Sequence, residues 1–231
     1  GTANPYTDVS GHVTFVHEDG DVIDRPVFWN GGNEFLVRFA STHASGDWTW
    51  KLRLDQKAPV EGATEGRLSS SPAEQDSVFS KRGFWEIPKG SRHMRYRDGT
   101  SVLIVADTPW AIPWRATVEQ AQVYAKDRQQ KGFNAALLMM IQPDKGATGP
   151  RDRTMPEGFG VAFEDLPEGR LTRMNVDYFQ CLDQLIAVLR DHGIVPVFQP
   201  VFHGYGWKGL QTAGNELSPE DYVRFCTYLV A

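Results

Sequence analysis

From residue 102 onward, continuous apolar runs alternate with helical patterns, and few folds accommodate that order. Val102 to Ala106 is an uninterrupted apolar run, as expected of a strand buried on both faces. Thr117-Val118-Glu119-Gln120 reads as a capping box opening a helix that runs to Lys131, with Gly132 as its stop. Phe133 to Ile141 is a second buried strand. Asn175 then caps a helix through Leu182, Leu185, Ile186 and Leu189, ending at His192-Gly193. Ile194 to Phe198 is a third strand, and Ser218-Pro219-Glu220-Asp221 opens a third helix with Ser at N-cap and Pro at N1. Strands alternating with helices imply parallel strands joined by helical crossovers.

The connections are unequal. Residues 142–174 and 199–217 form long strand-to-helix loops carrying Gly, Pro, Trp, Asp and His, whereas the helix-to-strand turns are only a residue or two long. A (β/α)₈ barrel builds its site from the loops at the carboxyl ends of its strands, so the asymmetry favours that architecture. A doubly wound sheet shares the alternation, but the first strand here ends in Asp107-Thr108-Pro109-Trp110, with no phosphate-binding glycine pattern. Residues 91–231 therefore read as the first three βα units of a (β/α)₈ barrel.

Before residue 90 the pattern differs. His12 to His17, Val27 to Trp29, Phe35 to Phe39 and Trp48 to Leu54 are short β-branched and aromatic segments, separated by Glu18-Asp19-Gly20 and Asn30-Gly31-Gly32. Such spacing predicts an antiparallel β-sandwich over residues 1–90. Phe84 to Ile87 reads as its final strand and Pro88-Lys89-Gly90-Ser91 as the hinge.

The 231 residues carry a formal net charge of −5 and no sustained basic block, which argues against a nucleic-acid partner. No apolar run approaches the ~20 residues of a membrane span. No signal peptide opens the chain, and Gly1 is not a native start, so processing or truncation could have removed one and the compartment, cytoplasmic or exported, is left open. Cys181 and Cys226 lie within helical patterns and read as free, buried, inert thiols. His12, His17, His43, His93 and His192 show no metal-ligand spacing, so neither a metal nor another cofactor is expected. No G-x-S-x-G element occurs, which disfavours that class of serine hydrolase.

Three stretches combine into a pattern. Asn4-Pro5-Tyr6-Thr7-Asp8-Val9, with Val37-Arg38-Phe39 and Gly46-Asp47-Trp48-Thr49-Trp50, resembles the small sandwich that precedes some bacterial glycosidase barrels. Ala106-Asp107-Thr108-Pro109-Trp110 and Lys131-Gly132-Phe133-Asn134 resemble the start of the apiosidase-like (β/α)₈ barrel of glycoside hydrolases. The resemblance covers essentially the whole chain. It implies a glycosidase acting on a plant or microbial oligo- or polysaccharide. It also implies an acid/base carboxylate shortly past residue 231, at the end of a fourth strand, and a second carboxylate further on.

Glycosidic cleavage needs two carboxylates flanking the bond. Within this chain Asp107 is the best placed, so the residues at the strand ends are assigned to binding rather than to catalysis. Asp107 is expected to accept hydrogen bonds from sugar hydroxyls and Trp110 to offer a ring face. Gln142, Gln199, His203 and Trp207, with Tyr205, supply the amide, imidazole and aromatic groups that suit neutral polyhydroxylated ligands. The side chains of Asp107, Gln142 and Gln199 are expected to converge on one open face. Asp144 reads as a surface pair with Lys145. Trp48 and Trp50 share one face of their strand; exposed, they would make a carbohydrate-binding platform, and buried, a core. A non-catalytic binding module and a purely bracing sandwich are the rival readings. The remaining expected partners are a carbohydrate substrate, the rest of the barrel as a separate chain or segment, and a possible homo-oligomer.

Overall fold

A computed structural model describes residues 4–55, 60–72, 78–204 and 212–231. After a helical turn α1 (Pro5–Asp8) come β1 (Gly11–His17), β2 (Val22–Pro26), β3 (Phe28–Gly31), β4 (Glu34–Leu36), β5 (Gly46–Leu54) and β6 (Glu65–Ser70). Strands β2-β1-β5-β6 form one antiparallel sheet, and β3-β4 forms a separate hairpin. The period-2 alternation works as read: Val13, Phe15 and Trp48 point inward and are buried. The expected strand Phe35 to Phe39 is shorter than its apolar content suggested. Pairing stops at Leu36, and Val37 and Phe39 instead lie over the sheet as irregular chain, with the Phe39 ring stacked on Phe15 at 4.2 Å. Trp48 is fully buried in the core, and Trp50 is half-buried against the same cluster while also lining the open groove of the sheet.

After α2 (Val78–Arg82), the next three strands correct two expectations. β7 (Trp85–Glu86) does not close the first sheet. It pairs antiparallel with β8 (Met94–Tyr96), which pairs with β9 (Ser101–Val102). The stretch read as a hinge, Pro88 to Ser91, is therefore the turn of a small meander. The apolar run 102–106 is also divided. Val102 ends the meander, and parallel pairing begins only at β10 (Ala106–Asp107). Between them Leu103 is 80% exposed, and Ile104 and Val105 are exposed as well, so this edge is not buried on both faces. Asn134 tethers it: its side-chain amide donates to Leu103 O at 2.8 Å and its Oδ1 accepts from Val105 N at 2.8 Å. An edge strand has no second neighbour in the sheet, and an asparagine side chain here supplies ladder contacts that backbone pairing does not.

The parallel units follow: α3 (Ile112–Arg115), α4 (Val118–Gln130), β11 (Ala135–Met139), α5 (Val176–Asp191), β12 (Val195–Gln199) and α6 (Pro219–Leu229). Strand order is β10-β11-β12, parallel throughout, in an open sheet rather than a closed barrel. The Thr117–Gln120 capping box is present on both sides, and Ser218 accepts from Asp221 N at 3.1 Å. Gly132, at φ 79°, ends α4 in the left-handed region that favours glycine. Asn175 begins α5 without capping it, because its side chain donates to Val161 O in the preceding loop. Cys181 and Cys226 are free and half-buried rather than buried. No helix among the described residues is long and apolar enough to cross a membrane.

The main core lies between the sheet and its helices, where Leu138, Met140, Leu182, Leu185, Leu189 and Phe225 pack together. Tyr6 of α1 belongs to this core, not to the antiparallel sheet that follows it. The β3-β4 hairpin meets the same helices. Tyr228 OH donates to Trp29 O, Gln180 Nε2 donates to Asn30 O, and Arg38 pairs with Asp183 at 2.5 Å.

Candidate functional site

The strand ends place Asp107, Gln142 and Gln199 at one end of the parallel sheet but on different faces. Asp107 stands beside Ala136, and Gln199 beside Met139. Positions 136 and 139 of one strand point to opposite sides. Ala136 packs into the helix-side core, so Asp107 faces the helices and Gln199 faces away from them. The expected convergence fails because the strands reach the rim with opposite parity.

The Asp107 carboxylate is fully engaged by its own unit. Oδ2 accepts from Arg128 Nε at 2.6 Å and from Tyr124 OH at 3.2 Å, and Oδ1 accepts from Thr108 N at 2.7 Å. Burial pushes this carboxyl up, but the Thr108 amide and the Arg128 guanidinium outweigh it and hold the group below its ordinary range. Burial, with the neighbouring Asp107 carboxylate added to it, pushes the Tyr124 phenol up to about 12. Tyr124 and Arg128 are four apart and share a helix face, a spacing visible in the sequence.

Gln142 presents a different environment. It is 5% exposed, and its Oε1 has no hydrogen-bond partner among the described residues. It lines a cavity of about 260 Å³ beneath the loop after β11, with Lys145, Thr148, Arg151, Phe159 and Pro167. Lys145 does not pair with Asp144 as expected. It pairs with Glu216, while Asp144 Oδ1 accepts from Gly146 N and shapes the loop's first turn. Arg151 pairs with Glu164 at 2.6 Å, so both cations in the wall are neutralised. The cavity thus combines an orphan acceptor, an aromatic wall and balanced charge. A buried acceptor without a partner costs about 1–3 kcal/mol, so this one is poised for a donor from outside the protein.

The loop that roofs the cavity is itself packed. Asp165 is buried and accepts from the backbone N–H groups of Thr172 and Arg173, while Phe163, Leu166 and Leu171 are fully buried beneath it. Buried Asp221 at the start of α6 accepts from Arg170 and Leu171 N of this loop and from Arg224 of its own helix, which holds its carboxyl low despite burial.

Trp110 is half-buried, with its ring 5.5 Å from that of Phe202 and its Nε1 buried without a partner among the described residues. Gln199 is half-buried, and His203 is exposed, its carbonyl accepting from Thr212 Oγ1. Tyr205 and Trp207 lie outside the described residues. Sequence spacing missed one association: His17, Asp19 and His43 meet where the interior strand β1 of the antiparallel sheet ends.

Residues 88–231 match the family described as the apiosidase-like catalytic domain, and residues 1–55 match a domain of unknown function, DUF5060. No curated protein matches the chain. Solved structures are similar to it, two of them glycoside hydrolases. One is named a glycoside hydrolase, with 16% identity and a TM-score of 0.39 over 51% of this chain and 25% of its own. The other is a glycoside hydrolase family 5 protein from Bacteroides vulgatus ATCC 8482, with 17% identity and a TM-score of 0.38 over 55% of this chain and 26% of its own. The chain spans about a quarter of the length of these structures. With more than half of its residues matched, the chain belongs to the family of apiosidase-like catalytic domains.

Proposed function

We propose that this chain supplies the sugar-binding rim of a glycoside hydrolase acting on a plant or microbial oligo- or polysaccharide. The observation that carries the reading is the cavity under Gln142, at the end of the parallel sheet where a βα fold places its site. Its volume of about 260 Å³ suits one sugar ring, and the unpartnered Oε1 accepts from a sugar hydroxyl. Trp110, Gln199, His203 and Trp207 are added to the sugar-binding rim on the strength of the sequence, outside the walls of this cavity. Asp107 we read as an anchor, because Arg128 and Tyr124 already occupy its oxygens. Asp107 and Asp144 are both committed to internal partners, so neither is assigned to cleavage. The β3-β4 hairpin braces this unit through Trp29 and Asn30, with Arg38 just beyond it.

Calorimetric titration with a panel of neutral oligosaccharides tests the reading. Gln142→Leu is expected to weaken binding roughly tenfold, the equivalent of one hydrogen bond, without lowering stability, because it removes an unsatisfied acceptor. Absence of binding to every sugar in the panel defeats the proposal. Undiminished affinity in both Gln142→Leu and the double variant Gln199→Ala/His203→Ala defeats it as well.

A further inference from the structure

The four-stranded sheet carries a cluster of side chains that the sugar-binding reading does not use. β1 ends at His17, which is 4% exposed; Asp19 follows in the turn; and His43 comes from the connection into β5. The two imidazole rings stack with centroids 3.8 Å apart, and both lie against Trp48. Asp19 Oδ2 is 3.4 Å from Nδ1 of His17 and 3.8 Å from Nδ1 of His43.

Hydrogen-bond partners favour the same tautomer in both rings. His17 Nε2 lies 3.3 Å from the carbonyl of Ser45, which can only accept. His43 Nε2 lies 2.7 Å from Asp21 Oδ2, again an acceptor. Each neutral ring has one proton, and these partners place it on Nε2. The His43 Nδ1 lone pair then lies on the side of the Asp19 carboxylate, and that of His17 accepts from the Asp19 backbone N–H at 3.3 Å, a contact that an ion would replace. An imidazole whose far nitrogen donates to a carboxylate is the usual outer support of a metal-bound histidine, and Asp21 provides it for His43.

We propose that His17 Nδ1, His43 Nδ1 and Asp19 Oδ2 form a binding site for a divalent transition-metal ion of the Zn²⁺ class. Each of the three residues offers a ligand atom within 4.8 Å of the others'. Two imidazoles with one carboxylate suit Zn²⁺ and its neighbours, whereas Ca²⁺ and Mg²⁺ require oxygen-rich shells. A shared ion sits about 2.0–2.1 Å from each nitrogen and in both ring planes, which rings stacked in parallel cannot satisfy together. Binding therefore tilts the His43 ring out of the stack. His43 can move because its side chain is 25% exposed, whereas His17 is held by the core. The ion then clips the β1–β2 turn to the connection before β5 and stabilises the folded sheet by binding it alone.

The test is metal titration of the full chain after chelator treatment, with Zn²⁺ followed by thermal unfolding and Co²⁺ by its visible absorption. One equivalent is expected to bind, to raise Tm and to give Co²⁺ a tetrahedral spectrum. Asp19→Asn and His43→Gln, both at accessible positions, are each expected to weaken binding at least tenfold, and Asp21→Asn about tenfold. Far-UV circular dichroism checks that the variants fold. Lack of stoichiometric binding by the wild-type chain overturns the proposal, as does undiminished binding in either ligand variant.

Discussion

Asp107 Oδ2 lies 2.6 Å from Arg128 Nε, a contact that turns the last side chain of β10 away from the sheet's open face and into the helix layer. The first βα unit is closed by its own strand-end carboxylate. Tyr124 and Arg128 sit one turn apart on α4, and the Arg128 guanidinium also covers the Phe133 ring at 5.1 Å, so strand, helix and the start of the next strand share one charged node.

Asp107→Asn is therefore expected to affect stability more than sugar affinity. The Asp107 carboxyl sits below its ordinary value of 3.8 in the fold, so its stabilising contribution is complete above that value. It is lost as pH falls through the lower folded value. Urea midpoints measured against pH check this. Wild type should exceed Asp107→Asn at pH 7, with the gap closing below 3.8. A gap independent of pH would separate the carboxylate's charge from its role.

The parts of the fold that were legible in the sequence are those set by neighbours along the chain. Thr117 and Gln120 specify a capping box three residues apart, and Ser218-Pro219 specifies a helix start, regardless of what lies around them. The run 102–106 was misread because its division is decided elsewhere: Val102 faces Met94 in the meander, and Ala106 faces Ala135 across α4. The site followed the same rule. Strand-end positions were found, but the parity that separates Asp107 from Gln199 depends on register between strands. His17 and His43 are far apart in sequence, and only the fold stacks their rings.

A second prediction concerns the contact between the antiparallel and parallel parts. Arg38 pairs with Asp183, donates to Ala231 O at 3.1 Å and lies 4.2 Å from the Phe28 ring centroid. Burial raises the Asp183 carboxyl despite this guanidinium. A raised carboxyl is a burden on the fold while ionised and is relieved as pH falls through the folded value. Arg38→Ala removes the compensating charge, so the variant should lose most stability at neutral pH and recover part of the difference on acidification. Hydrogen exchange should rise at the amides of β3 and β4 in the variant; unchanged protection there would mean the hairpin docks without Arg38.

The last prediction separates the loop's framework from its cavity. Phe163 has no exposed surface, and its ring lies 5.7 Å from Tyr6, 5.6 Å from Phe179 and 5.3 Å from Phe225. One side chain thus joins α1, the loop after β11, α5 and α6. Phe163→Ala leaves a void among elements with other attachments, so collapse is incomplete and the cost should be about 3–5 kcal/mol, read from denaturant unfolding. Phe159, by contrast, lines the cavity under the same loop. Phe159→Leu keeps an apolar wall of smaller area, and its effect should fall mainly on oligosaccharide affinity, with a stability loss below about 1.5 kcal/mol. Measured side by side, the two variants should divide: Phe163→Ala loses stability first and affinity only as the roof loosens, whereas Phe159→Leu loses affinity in a fold that still unfolds cooperatively. Equal losses of both quantities in both variants would show that roof and cavity are one unit, and that the space beneath Gln142 is a packing defect rather than a place for a sugar.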